Sequence, residues 1–299
     1  MKFCHIAPSE LVPLAAGLSN CYLTLAHLIE RDEVYRNNQR EAAIISEETN
    51  KDVVRIMDNS GFEFYKEHGP GYVFDPTKLI DLAKIVKAEY IVLPDYPGEP
   101  AQKTIDSALE HSQAFKDNEF GTFFVPQSRP GEIQEYIDCF EWAVNNPDID
   151  YIGVSILGVP VAFDVEANNK LNRFNSRWWM MTLLANRGIL QKAYAKGKQI
   201  HFLGMVDGPN EMYLCSDFWS YIDSWDTSSA FWAAIEGKRY DSSPTGLING
   251  KIETPVDFSY SMSKMNASVL NDIMYNCNYI NIAAARAAKI KQRGDVWRS

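Results

Sequence analysis

Residues 76–95 read PTKLIDLAKIVKAEYIVLPD. Over Pro76–Ala88, Leu79, Ile80, Leu82, Ala83 and Val86 fall on one face at helical spacing, and the leading proline suits a first helical turn. The run Glu89–Leu93 that follows is short, apolar and rich in strand formers, and it stops at Pro94-Asp95. The unit recurs. Runs at Lys2–Ile6, Ala42–Ile45, Val53–Met57, Gly121–Val125, Tyr151–Leu157, Ile200–Met205 and Tyr221–Trp225 also read as strands. Amphipathic stretches such as Glu132–Asn145, with Ile133, Tyr136, Ile137, Phe140 and Val144 in register, lie between them. This alternation predicts βαβ units and a parallel sheet. About eight units in ~240 residues fit a (β/α)8 TIM barrel better than an open sheet. No G-x-G-x-x-G follows an early strand, which weakens a dinucleotide-binding reading. The expected fold is therefore α/β, a single barrel domain over 1–299. It carries a basic helical insertion at 167–198 and a C-terminal extension at 239–299, whose long helix runs from about Ser263 to Arg293.

The chain has 29 basic and 39 acidic residues, a net charge of −10, with 46% apolar and 23% charged residues. These are globular values and exclude low-complexity, collagen-like and wholly disordered classes. The longest weakly polar run, Tyr151–Phe163, contains Gly, Ser and Pro and falls short of the ~20 apolar residues of a spanning helix. The segment from Met1 to Glu10 has no apolar core of a signal peptide, so no membrane association and a cytoplasmic location are expected. Cys4, Cys21, Cys139, Cys215 and Cys277 are odd in number and widely spaced, which suggests buried free thiols rather than disulfides or a zinc knuckle. The acidic balance hides a local excess of the other sign. Lys170, Arg173, Arg177, Arg187, Lys192, Lys196 and Lys198 follow one another with no Asp or Glu between them. They read either as a surface for a nucleic-acid backbone or as a solvated helix face.

In a (β/α)8 barrel the chemistry lies at the C-terminal ends of the strands. Those ends here carry Asp58, Asp95, Gln127 and Asp226. Any one of the acids reads equally well as a helix cap or turn residue. Four polar groups at the ends of separate strands instead suit work at a glycosidic carbon, with one carboxylate attacking and another moving the proton. Gln127 and Asp95 have the donors and acceptors to read a base edge, and Phe62 and Tyr96 are neighbours that could stack on a planar ring.

These residues carry a resemblance. Met57-Asp58-Asn59-Ser60-Gly61-Phe62-Glu63 resembles the D-S-G-G-[FY]-Q motif of tRNA-guanine transglycosylases. Leu93-Pro94-Asp95 is similar to the family's second Asp, and Val125-Pro126-Gln127 to its base-reading Gln. Tyr151–Leu157 occupies the place of the G-G-L strand, Phe202-Leu203-Gly204 that of a [YL]-[LM]-G strand, and Ser224-Trp225-Asp226 that of the nucleophile segment. The order and spacing agree over residues 56–237. The resemblance implies a TIM barrel that exchanges a guanine base. In it Asp226 is the nucleophile toward C1′ and Asp58 the general acid and base. Asp95 and Gln127 hold the base edge, Phe62 and Leu203 sandwich the ring, and the backbone around Leu157 and Gly204 lines the pocket.

Three departures narrow the reading. The family's zinc motif should follow the nucleophile, but residues 227–299 contain only Cys277 and no His, so no metal cofactor is expected. Ser155 and Ile156 stand for the two glycines before Leu157, and Glu63 for the motif's Gln. A zinc-free chain with a basic segment, in which Trp178 and Trp179 accompany the seven cations, is most similar to the phage and bacterial DNA-guanine transglycosylases. The implied partners are DNA, with tRNA as the alternative, and a 7-deazaguanine base. Four positions after Leu157, where bacterial tRNA enzymes use an acid to receive an aminomethyl substituent, stands Val161; the nearest downstream acid is Asp164. This favours 7-cyano-7-deazaguanine (preQ0). A TIM-barrel glycoside hydrolase and a non-catalytic partner subunit are the remaining alternatives. The first more often uses Glu and has no need of the basic segment; the second would lack one of Asp58 and Asp226.

Overall fold

Eight strands and twelve helices alternate among the described residues of the computed structural model. These are all but 62, 65–68, 70–72, 167–168, 206–208, 241–256 and 299; side chains 170 and 293–298 are also outside the described set. The elements are β1 (Lys2–His5), α1 (Val12–Leu18), β2 (Cys21–Leu25), α2 (Ala26–Arg31), α3 (Glu33–Glu48), β3 (Val54–Asp58), α4 (Pro76–Ile85), β4 (Tyr90–Val92), α5 (Ala101–Asp117) and β5 (Gly121–Phe124). There follow α6 (Ile133–Asn145), β6 (Tyr151–Ser155), α7 (Gly158–Ala162), α8 (Lys170–Asn186), α9 (Ile189–Ala195), β7 (Gln199–Leu203), α10 (Pro209–Leu214), β8 (Ser224–Thr227), α11 (Ser229–Ile235) and α12 (Ala267–Arg298). The strand order β1-β8-β7-β6-β5-β4-β3-β2, with parallel pairing, is that of a (β/α)8 barrel.

The chain divides into two compact units. One comprises Thr24–Arg31 and Arg55–Leu203 and carries β3 to β7. Its core is aromatic. The rings of Phe123 and Tyr151 stack 5.4 Å apart, and Tyr90 meets Tyr151 edge-on at 4.9 Å. Gly153 makes the room: a Cβ there would lie 2.6 Å from the Phe123 ring. Buried faces of the crossover helices cover this sheet, including Leu79 and Ala83 of α4, Ile137 and Phe140 of α6, and Met180, Met181 and Leu184 of α8. The stretch expected as a basic insertion thus supplies α8 and α9, the crossover from β6 to β7.

The other unit comprises Met1–Leu23, Asp32–Val54 and Gly204–Ser299. Here β1 pairs with β8, Phe3 opposite Trp225 and Cys4 opposite Asp226. The C-terminal extension is a packed element of this unit. Ile273, Cys277, Ile280, Ala284 and Ala287 recur every three or four residues along α12 and are all buried.

Three expectations change. Ala42–Ile45 is the third turn of α3, not a strand: Ala42, Ala43 and Ser46 are buried with Tyr35, while Ile45 is 49% exposed, a helical rather than an alternating pattern. The strand that the alternation lacked is β2, whose five residues are all buried and so show no period. β8 begins at Ser224 rather than Tyr221, which puts Asp226 inside the strand instead of beyond it.

Candidate functional site

The first unit gathers its polar groups where β3, β4 and β5 end. Asn59, directly after β3, donates through Nδ2 to the Leu93 carbonyl at 2.9 Å and to Asp95 Oδ1 at 2.8 Å. The Gly61 N–H donates to Asn59 Oδ1 at 2.8 Å, which fixes the amide's orientation. Gln127, beyond β5, donates through Nε2 to Asp95 Oδ2 at 2.6 Å. Both carboxylate oxygens of Asp95 therefore face amide donors. All three side chains are buried. Burial pushes the Asp95 carboxyl up to about 6, and the N–H donors of Asn59 and Gln127 oppose that rise.

The cluster has acceptor capacity left over. Oε1 of Gln127 and Oγ of Ser128 are buried with no hydrogen-bond partner among the described residues. Buried polar atoms are paired in the great majority of folds, so such orphans mark places where a ligand or solvent donor completes the set. Gly158, at the start of α7, admits Gln127: a Cβ on it would stand 2.5 Å from Oε1. Ser155 Oγ accepts from the N–H groups of Leu157 (3.0 Å) and Gly158 (3.2 Å), and the Ile156 N–H donates to the Leu203 carbonyl at 3.1 Å. The backbone of 156–158 is thus held from inside. Leu157 and Leu203 are half-buried, as is Asp58, the last residue of β3. Phe62 lies outside the described residues.

Sequence reasoning missed Asn59 and Ser60, although they directly follow Asp58. Ser60 is wholly buried at φ 60°, a left-handed conformation, and its Oγ lies 2.8 Å from His27 Nδ1 and accepts from the His27 N–H at 3.2 Å. The resembled motif has a glycine at this position, and a left-handed residue explains why one suits it.

In the second unit, Asp226 is buried within β8. The Gly204 N–H donates to Asp226 Oδ1 at 2.9 Å, and the Trp225 indole N–H donates to the Gly204 carbonyl at 2.8 Å. Gly204 has φ 73°, a left-handed conformation that suits a glycine, and its N–H and carbonyl serve the two residues in turn. Opposite in the β1–β8 pair, the Cys4 thiol is pushed above the thiol range, first by burial and then by the Asp226 charge, so Cys4 is an inert apolar neighbour. The family's zinc does not fit this chain: Cys277 is wholly buried on the packing face of α12, and 227–299 contain no histidine.

The seven cations of 170–198 do not form one surface. Arg177 is buried. Lys198 immediately precedes β7 and donates to the carbonyls of Asn146 (2.6 Å) and Ile149, ahead of β6. Lys192 pairs with Glu141 at 3.0 Å, Lys196 donates to Asn145 Oδ1 at 2.9 Å, and Arg187 to Gln134 Oε1 at 2.8 Å. Lys192, Lys196 and Lys198 therefore sit toward the N-terminal ends of β6 and β7, whereas Asp95 and Gln127 follow C-terminal strand ends. Arg173 is half-buried on α8 one turn before Arg177, whose bonds reach the Val154 and Leu203 carbonyls, and the Lys170 side chain is outside the described set. No protein-family model and no curated protein sequence matches this chain.

Proposed function

We propose that this protein is a DNA-guanine transglycosylase, which exchanges guanine in DNA for a 7-deazaguanine of the preQ0 type. The observation that carries the reading is the Asn59–Asp95–Gln127 cluster. It is a buried, acceptor-rich surface at successive strand ends, and the N1–H and 2-amino edge shared by guanine and 7-deazaguanine is complementary to it. Two of its three residues, Asp95 and Gln127, are among those on which the resemblance to guanine transglycosylases rests.

In this reading Asp226 attacks C1′ of the target nucleoside as the C1′–N9 bond breaks. Guanine takes up the bonding pair and a proton from Asp58, and an ester between Asp226 and the sugar remains. Asp58 then accepts the N9 proton of the incoming base, whose nitrogen attacks C1′ and releases Asp226 as carboxylate. The N–H bond to Oδ1 from Gly204 orients the nucleophile. A duplex guanine must leave the stack to react. Of the basic segment, Arg173 is the phosphate contact this reading favours. Asp164 is exposed, which supports a neutral nitrile over an ammonium that would need a paired charge in a buried pocket.

The test follows label release from guanine-labelled DNA and, separately, tRNA, with preQ0 and its aminomethyl counterpart in competition. Release from DNA with preQ0 preferred about tenfold is expected, which requires about 1.4 kcal/mol of differential binding. Asp226→Asn abolishes release together with any adduct that survives denaturation, and Asp58→Asn slows exchange while DNA binding persists. Full exchange by Asp226→Asn overturns the reading; release from tRNA alone transfers it to a zinc-free tRNA enzyme.

A further inference from the structure

Arg177 looks from the sequence like one more phosphate contact, yet it is wholly buried. From the inner face of α8 its Nη1 donates to the Val154 carbonyl in β6 at 3.3 Å and to the Leu203 carbonyl, the last of β7, at 3.0 Å. Its guanidinium carbon lies 4.8 Å from the centroid of the Phe202 ring. The Leu203 carbonyl also accepts from the Ile156 N–H at 3.1 Å. One side chain thus ties the ends of two strands to the first residue of the segment that carries Leu157 and Gly158. Burying a guanidinium is costly where an apolar side chain of similar volume is not, so stability alone gives no reason for an arginine here. What arginine adds is direction: two N–H groups of one rigid planar group fix two carbonyls at once.

We infer that Arg177 is a positioning residue, which sets the spacing of the β6 and β7 ends so that Leu157, Gly158 and Leu203 receive a planar base. This rests on the base-exchange reading above. Such a residue acts on the affinity for the base and not on the affinity for phosphate, which separates it from the role its sequence neighbours suggest.

The test titrates free guanine into the full-length protein by calorimetry and measures the salt dependence of its binding to a short DNA duplex. Arg177→Met is expected to weaken guanine binding about tenfold or more, since small displacements in a preorganised site are expensive. The slope of log K against log salt for DNA stays at its native value. A slope reduced by about 0.9 with native guanine affinity is the mark of a lost phosphate contact and overturns the inference. Native guanine affinity with an unchanged slope overturns it as well. If Arg177→Met does not fold, Arg177→Gln, too short to span both carbonyls, is read in the same way; failure of both to fold leaves a folding role only and rejects positioning. A native protein that binds no guanine removes the base-exchange reading itself, whereas native binding that the variants retain removes Arg177's role alone.

Discussion

Gly158 carries no side chain, and a Cβ there would lie 2.5 Å from Oε1 of Gln127, closer than any carbon–oxygen contact allows. Gly158→Ala is therefore expected to push Gln127 off Asp95 and weaken guanine binding about tenfold with little change in melting temperature; calorimetry beside thermal unfolding checks it. Asp95 adds a pH dependence. Its carboxyl titrates near 6, raised by burial. An acceptor for guanine N–H groups must be ionised, so binding is expected to be flat above about pH 7 and to fall by up to tenfold per unit below 6. The same shift affects stability with a definite sign. An acid whose folded pKa lies above its unfolded value destabilises the fold as pH rises through the interval from about 4 to 6, because the unfolded chain loses its proton first. Asn59→Ala removes one of the donors that oppose the rise, so the midpoint of guanine binding moves to higher pH. A midpoint that stays at 6 in this variant contradicts the role given to Asn59.

At the scale of elements, α12 is tied in by asparagines. Asn281 donates through Nδ2 to the Leu18 carbonyl at 2.9 Å, so its Oδ1 must face His5 Nε2, also at 2.9 Å. His5 therefore carries its proton on Nε2. Its Nδ1 is a buried acceptor with no partner among the described residues, and burial lowers the ring to about 4. A histidine depressed in this way contributes stability that is complete above the unfolded value of about 6.5 and is lost as pH falls toward 4. The loss is on the order of 3 kcal/mol by pH 4. His5→Asn should flatten that part of the stability profile, as measured by urea unfolding between pH 7 and 4. A profile as steep as the native one points to other groups. The crossover helix α9 carries a different prediction. Lys192, Lys196 and Lys198 are engaged at the end of the strands away from Asp95, so neutralising all three is expected to leave the salt slope of DNA binding within about one unit of native. Three phosphate contacts would reduce it by nearly three.

For the whole molecule, the absence from 227–299 of the zinc ligands of the resembled family leads to a direct expectation: elemental analysis of the purified protein finds far less than one zinc per chain, and chelators leave its melting temperature unchanged. Stoichiometric zinc would mean that ligands outside the resembled motif hold it. The alternation of strand and helix, the (β/α)8 class and the strand ends at Asp58, Asp95 and Gln127 were all legible in the sequence. They depend on periodicity and on turn residues within a few positions, and those are local properties. Ala42–Ile45 was misread and β2 missed because a short apolar run has no period of its own; neighbours far along the chain decide whether it coils or extends. The site divides in the same way. Residue types at strand ends announced Asp95 and Gln127, but no local rule joins Asn59 to Asp95, 36 positions away, or sets Gly158 against Gln127. The basic segment shows the limit most plainly. In a string of letters, seven cations with no acid among them read as one exposed basic face, whether it binds a backbone or only water. In the fold, the helical period turned Arg177 inward, and the direction of β7 carried Lys192, Lys196 and Lys198 to the opposite end of the strands from Asp95. The sequence by itself determined which elements form and which chemical groups they carry, because both follow from neighbouring residues. Only the tertiary structure decided which of those groups meet, because a side chain's partners depend on the packing of distant elements against it.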